Sequence, residues 1–191
     1  MMPRALELGE VIREPEPPNL PQVIQVSGGF ILAFLSDGFV LIDPVKASRR
    51  VIYDALSSGS PLSETPIFPL KIPCKPGLAD RVALLGRMGF RVEVSGGFAV
   101  LSALPRFPWH ISPEALASFF AGLVDLPPLA IEEAVALACE RLALSPERPL
   151  SPRAAAELAD RLFSSENPFV APGGGVTAVR FRWAELARGI T

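Results

Sequence analysis

Residues 23–43 read VIQVSGGFILAFLSDGFVLID, and this stretch decides the expected fold. It contains three short runs rich in apolar and β-branched residues, separated by Gly28-Gly29 and by Asp37-Gly38. Gly-Gly and Asp-Gly dipeptides accept the positive φ angles that tight hairpins require. The stretch therefore predicts an antiparallel meander of three strands.

A helix is expected directly after the meander. Residues 45–59 place Val51, Ile52 and Leu56 on one helical face and end at Gly59, a residue suited to a left-handed C-cap. Asp43 ends the last strand and Pro44 follows it, which is the sequence signature of an N-cap followed by a first helical residue. A catalytic carboxylate at Asp43 is the alternative interpretation.

Prolines and glycines divide the middle of the chain. The five prolines in residues 61–76 favour a short edge strand, because proline cannot donate a ladder hydrogen bond. Residues 77–90 predict a helix that ends at Gly89, and residues 91–105 predict a second hairpin.

The remainder of the chain is mostly helical. Ser112-Pro113 and Ser151-Pro152 each begin a helix with a serine N-cap and a proline at the first helical position, and residues 131–144 form another helical pattern. Residues 175–183 alternate as a final strand, and residues 184–188 predict a short helix. Strands at both chain ends favour an α+β fold in which the first and last thirds share one mixed or antiparallel sheet around an inserted middle part.

Composition bounds the possible functions. The net charge of −2 does not favour binding to polyanions, and no apolar run approaches the about 20 residues that span a membrane. The two cysteines match no metal or disulfide spacing, as is typical of a reducing, cytoplasmic location. Residues 1–20 are rich in proline and charge and predict a linker, so we expect the chain to be the C-terminal piece of a longer protein.

Four further features have both a chemical and a structural interpretation. The glycines at 173–175 precede a strand rather than a helix, which favours a turn over a phosphate-binding loop. His110 is the chain's one histidine, so a surface or capping role is favoured over catalysis. Cys139 is expected to be a buried, inert thiol, and Lys46, Arg49 and Arg50 a solvated basic helix face.

Several segments, in order, resemble the C-terminal region of the MutL family of mismatch-repair proteins over residues 20–188. They are residues 30–33 (FILA), 41–43 (LID), 50–53 (RVIY), 67–70 (IFPL), 85–90 (LGRMGF), 138–139 (AC), 150–151 (LS) and 166–169 (ENPF), followed by Pro172 and the last strand. The resemblance implies a dimerisation subdomain, residues 21–70 plus 149–191, and an inserted external subdomain, residues 71–148.

Nuclease-bearing members of this family carry Asp-Gln-His-Ala, then two spaced glutamates, and near the C-terminus Cys-Pro-His-Gly-Arg-Pro, which bind metal ions. The equivalent positions here hold Asp43 followed by Pro-Val-Lys, then Arg49 and Asp54, and later Ala171 followed by Pro172 and Gly173. With Cys139, too few ligands remain for Zn²⁺, which typically takes four. The resemblance therefore implies a member without the nuclease, without metal and without a cofactor.

Some members contact the sliding clamp through a Gln-x-Leu-Leu/Ile-x-Pro segment. The equivalent here runs from Glu64 to Pro69 and keeps the apolar Ile67 and Phe68 but not the glutamine. Other partners implied by the resemblance are MutS and the helicase or nuclease of mismatch repair, with weak or no DNA binding by this part and no membrane.

The leading hypothesis is a non-catalytic homodimerisation and partner-docking module. Apolar strands would supply the dimer interface, from Val23, Ile24, Ile31, Leu32, Phe34, Val179 and Phe181. One alternative is a diverged metal-dependent endonuclease that uses Asp43, Asp54 and Glu140. The other is an α+β binding protein unrelated to repair.

Overall fold

The computed structural model describes residues 22–26, 29–58, 61–127, 131–145 and 149–189. The elements in chain order are β1 (Val23–Gln25), β2 (Ile31–Leu35), β3 (Gly38–Ile42), α1 (Pro44–Ser57), β4 (Ser63–Glu64), β5 (Leu70–Pro73), a 3-10 turn (Pro76–Arg81), α2 (Val82–Arg87), β6 (Arg91–Ser95), β7 (Phe98–Pro105), α3 (Pro113–Asp125), α4 (Ile131–Arg141), α5 (Pro152–Phe163), β8 (Ala178–Arg182) and α6 (Trp183–Arg188). The fold is α+β, as the order of sequence patterns predicted. Residues 1–21, with the expected linker, and Gly59 lie outside the described residues.

The first sheet has the order β1-β2-β3-β8, with every neighbouring pair antiparallel. The predicted meander supplies its first three strands. The C-terminal β8 then pairs with β3, where Leu41 lies opposite Val179 and Phe39 opposite Phe181. Both ends of the chain therefore contribute to one sheet.

Helix α1 begins where the sequence predicted. The Asp43 Oδ1 atom accepts hydrogen bonds from the amides of Val45 at 3.0 Å and Lys46 at 3.1 Å, and Pro44 occupies the first turn. These bonds satisfy two amides that otherwise have no partner in the helix. The N-cap interpretation of Asp43 is confirmed.

Helices cover only one face of the first sheet. Alternate residues Ile31, Ala33, Val40 and Ile42 are buried on that face. Helix α5 packs against β1 and β2, and α1 packs against α5 and α4. The core of the fold thus lies on this side of the sheet, whereas on the other face only the start of α6, at Trp183, approaches the strands among the described elements named above.

The second sheet is built around β7, which pairs with β4, β5 and β6, all antiparallel. The β6–β7 hairpin turns at Gly96 and Gly97, both with positive φ, as the sequence predicted. Because Ser63 and Glu64 already pair with β7, the change from the first sheet to the second comes before β4. The boundary expected at residue 70 instead falls inside the second sheet.

Two other predicted boundaries differ from the structure. The helix expected over residues 77–90 opens as a 3-10 turn and is α-helical only over Val82–Arg87, although Gly89 does end it with a φ of +84°. The last strand begins at Ala178 rather than at residue 175, because Gly173, Gly174 and Gly175 all have positive φ, which an extended strand does not allow.

Two buried hydrogen bonds fix the chain after α4 against the rest of the fold. The Ser48 Oγ atom, fully buried in α1, accepts the Leu144 amide at 3.0 Å, and the Trp109 indole donates to the Leu142 carbonyl at 3.1 Å. The buried apolar side chains around them form a single cluster that extends beneath both sheets. None of the described helices is long and apolar enough to cross a bilayer.

Candidate functional site

The uncovered face of the first sheet is apolar across all four strands. One cross-strand row is Ile24, Leu32, Leu41 and Val179, which lie opposite one another in the register. The second row is Phe34, Phe39 and Phe181, and Trp183 continues it. We call these eight residues the open face.

Aromatic contacts hold the second row together. The Phe39 and Phe181 rings stack with centroids 5.1 Å apart, and the Trp183 ring lies 5.5 Å from Phe39. Trp183 and Ile24 are each 47% exposed and Val179 is 45% exposed. A contiguous exposed apolar surface of this kind commonly marks a protein interaction site.

The structure corrects two of the residues expected at the interface. Ile31 is fully buried, and Val23 is partly buried against the core cluster. Both alternate with open-face residues, and successive side chains of a strand point to opposite faces. Ile31 and Val23 therefore belong to the helix-covered side, whereas Ile24, Leu32, Phe34, Val179 and Phe181 lie on the open face.

Charged residues of β8 point away from the open face. Arg180 alternates with Val179 and Phe181, and its guanidinium donates to both Asp37 carboxylate oxygens, at 2.9 and 2.8 Å. The hydrogen bond from Arg180 holds the pKa of Asp37 below its ordinary value. The open face is thus left without charge at its centre, as is typical of the core of a protein interface.

A second candidate site is a cavity of about 350 Å³ beside the start of α1. Asp43, Lys46 and Arg49 line it, together with the apolar side chains of Phe30 and Leu150. The Lys46 ammonium lies 3.3 Å from Asp43 Oδ2. The charges of Asp43 and Lys46 in the cavity lining therefore offset each other.

The second degenerate motif lies against the first. Val170 and Val176 form an isolated antiparallel bridge, and Gly174 donates to the Ala171 carbonyl at 3.0 Å, so residues 170–176 form a tight turn. A Cβ atom on Gly175 would lie 3.7 Å from Lys46 Cε, which places this turn beside the cavity. The turn interpretation of the three glycines is confirmed.

The other candidate metal ligands are engaged elsewhere. The Asp54 carboxylate accepts from Arg50 Nε at 3.0 Å, and the buried Cys139 thiol donates to the Arg49 carbonyl at 3.4 Å. Burial raises the pKa of Cys139 to about 12, so the thiolate that a metal requires is disfavoured. Within the described ranges, no three His, Cys, Asp or Glu side chains are grouped as a metal site would need, and the residues present do not fit a metal.

Two other residues considered in the sequence lie on the surface. Glu140, the third carboxylate of the nuclease alternative, is exposed on α4, and His110 is exposed in the loop before α3. Neither lines the cavity beside α1. The surface interpretation of His110 is confirmed.

The segment from Glu64 to Pro69, which resembles a clamp-binding motif, joins β4 to β5. Ile67 is 93% exposed and Phe68 is 78% exposed. These are large apolar side chains with little contact to the fold, and Leu62, just before them, is 72% exposed.

The sequence reasoning missed three residues of the open face and the role of Arg49. Phe39, Leu41 and Trp183 belong to the open face, and the strict alternation of β3 with its partners could have identified the first two. Arg49 was assigned to a solvated helix face, but its Nε atom is buried and has no hydrogen-bond partner among the described residues. No local sequence signal indicates this burial.

Comparison with known proteins gives the following relatives. No family model matches the chain. It is 27% identical over 192 aligned residues to the DNA mismatch repair protein MutL of Chlorobaculum tepidum, covering 90% of this chain and 30% of that protein. It is 29% identical to MutL of Halobacterium salinarum, covering 89% and 28%. It is 34% identical over 105 residues to MutL of Syntrophobacter fumaroxidans, covering 51% and 16%.

The first two alignments cover about nine-tenths of the chain, whereas the third covers about half of it. The chain spans about 30% of the length of the first two of these relatives. Over about nine-tenths of its length, this chain is similar to about three-tenths of a DNA mismatch repair protein MutL.

Proposed function

We propose that the chain is a non-catalytic homodimerisation module of a MutL-like mismatch-repair protein. The observation that carries the proposal is the open face: two rows of apolar side chains on a sheet whose opposite face is already covered by helices. Two copies that pack their open faces together would bury these rows. The names of the relatives support the assignment to mismatch repair.

The distribution of apolar and charged side chains over the sheet supports pairing with a second copy. In obligate homodimers the interface resembles a core cut in half, with aromatic residues enriched and charges depleted. The open face has four aromatic residues, Phe34, Phe39, Phe181 and Trp183, and the nearby Arg180 is paired with Asp37 away from them. A two-fold axis would bring each row onto its symmetry copy.

Light scattering across a concentration series of the purified chain tests the proposal. We expect the mass of a dimer at tens of micromolar. A strict monomer at that concentration would remove the proposal. Because a dimer could form through another surface, the open-face substitution Val179→Asp must also dissociate it.

We further propose that the module has no nuclease activity of its own. Asp43 is occupied by the helix cap and Lys46, Asp54 by Arg50, and Cys139 is a buried thiol. Arg49 adds positive charge where metal ions would need to bind. Nicking of supercoiled plasmid with Mn²⁺ that disappears on Asp43→Asn would contradict this proposal and favour the endonuclease alternative.

A second candidate function is docking of the sliding clamp by residues 64–69. The observation that favours it is the exposure of Ile67 and Phe68, because buried aromatic and aliphatic anchors dominate binding energies at such motifs. In a pull-down with the clamp, the double variant Ile67→Ala/Phe68→Ala is expected to lose the signal. The matched control is Leu62→Ala, which removes a neighbouring exposed side chain and should retain it. No signal from the unmodified chain would remove this candidate.

A further inference from the structure

The cavity beside α1 contains a charge that the fold does not neutralise. Arg49 lines the cavity, and its Nε atom is buried without an acceptor. None of the ion pairs found among the described residues includes Arg49. A buried donor without a partner costs free energy, and a bound ion or ligand is one way in which such a donor is satisfied.

The other groups at this site do not supply the missing partner. Asp43 is the one acidic residue among the described residues that line the cavity, but its Oδ1 atom accepts two backbone amides and its Oδ2 atom faces Lys46. Asp54, on the same helix, is bonded to Arg50. The Arg49 backbone carbonyl accepts the Cys139 thiol and so holds this turn of α1 against α4.

The cavity therefore offers one net positive charge together with an apolar wall. Asp43 and Lys46 offset each other, whereas Arg49 remains. The apolar side is formed by Phe30, Leu144 and Leu150. A guanidinium binds phosphate oxygens through its fork of N–H donors, and an ammonium beside it can add a point charge.

We propose that this cavity binds a phosphate group carried by an organic ligand. Arg49 donates to the phosphate oxygens, Lys46 exchanges part of its contact with Asp43 for the same oxygens, and the apolar wall receives the attached organic group. The glycine turn at residues 173–175 leaves the approach to Lys46 unobstructed, since no side chain projects there. The phosphate could come from a free nucleotide or from a nucleic-acid backbone.

Titration calorimetry of the 191-residue chain at constant ionic strength tests the proposal with pyrophosphate, a nucleoside monophosphate, a ten-nucleotide single strand and acetate. We expect saturable binding of the phosphate compounds and about tenfold or greater weakening by Arg49→Gln. The matched control is Arg50→Gln, which removes the same charge from the next residue, whose guanidinium is paired with Asp54. It should bind as the unmodified chain does.

The outcomes separate the sources of the phosphate and can overturn the proposal. Tighter binding of the oligonucleotide than of the monophosphate assigns a nucleic-acid backbone, and the reverse order assigns a free nucleotide. Absence of saturable binding, equal affinity for acetate, or equal loss in Arg49→Gln and Arg50→Gln would each overturn it.

A stability measurement checks the same inference without any ligand. If Arg49 is unpaired in the free protein, Arg49→Met should raise the melting temperature in phosphate-free buffer by about 2–4 °C. Pyrophosphate should stabilise the unmodified chain and not the variant. A lower melting temperature for Arg49→Met would show that the guanidinium has a structural role and would contradict the proposal.

Discussion

A carboxylate placed on the open face should abolish dimerisation. Val179 lies opposite Leu41 at the end of the Ile24–Leu32–Leu41–Val179 row and is 45% exposed in the single chain. Val179→Asp leaves the strand pairing intact, because the residue's backbone bonds do not depend on its side chain. The substitution therefore acts on association rather than on folding.

The loss of dimerisation free energy in Val179→Asp follows from the two-fold symmetry of the proposed dimer. Full burial of a valine side chain contributes roughly 1.5–3 kcal/mol, and about half of that remains available at Val179 in the monomer. Because the substitution is present in both protomers of a two-fold dimer, the lost burial occurs twice and by itself costs about 2 kcal/mol. An unpaired buried carboxylate on each side adds several kcal/mol, for a total of about 5 kcal/mol or more and a Kd raised at least about 10³-fold.

Sedimentation equilibrium over a concentration series measures the effect. The matched control is Leu62→Asp, which introduces the same charge at an exposed apolar residue just before β4 and should leave the Kd unchanged. A dimer of unaltered affinity in Val179→Asp, with circular dichroism like that of the unmodified chain, would refute the assignment of the open face as the interface.

Three further predictions concern the stability of the fold. Gly38→Ala places a Cβ atom 2.0 Å from the Phe181 carbonyl oxygen and should lower the free energy of unfolding by about 1–3 kcal/mol or more. The control Gly86→Ala has open space around the new Cβ atom and should not lower the free energy of unfolding. Urea titration of the two variants measures the difference. Ser48→Ala leaves the buried Leu144 amide without its acceptor and should cost about 1–3 kcal/mol in the same assay, and a loss below a few tenths would contradict the assigned bond. Arg180 lowers the pKa of Asp37 in the folded chain, so this pair stabilises the protein above the ordinary carboxyl pKa, and its contribution is lost as the pH falls through the lowered pKa. In Arg180→Gln the pKa of Asp37, followed by carboxyl NMR, should rise. An unchanged titration would show that the pair is not formed in solution.

Local chemistry made the elements predictable. Asp43, Ser112 and Ser151 cap helices as expected, since a short polar side chain before a proline has few other structural uses. The hairpin glycines likewise identified their turn at 96–97. Helix and strand ends were less predictable where a 3-10 turn or positive-φ glycines changed the backbone, as at residues 76–81 and 173–175.

The candidate sites were predictable only in part. The residue types at Arg49, Ala171 and Gly173 already argued against a metal centre, because arginine, alanine and glycine side chains are not metal ligands and the sequence alone shows that they stand at these positions. The open face could not be distinguished from the covered face in β2, since Ile31 and Leu32 are equally apolar. Alternation tells which residues share a face, but not which face the helices cover.

By itself the sequence determined the α+β elements and the caps of the helices, because these depend on neighbours along the chain. It also showed that Arg49, Ala171 and Gly173 stand where metal ligands would be required. Only the tertiary structure decided three other features: that α5 covers the Ile31 side of the sheet, that the glycine turn lies beside Lys46, and that Arg49 Nε is buried without a partner. Each of these depends on segments distant in sequence that come together when the apolar faces of the helices and the sheet pack into one core.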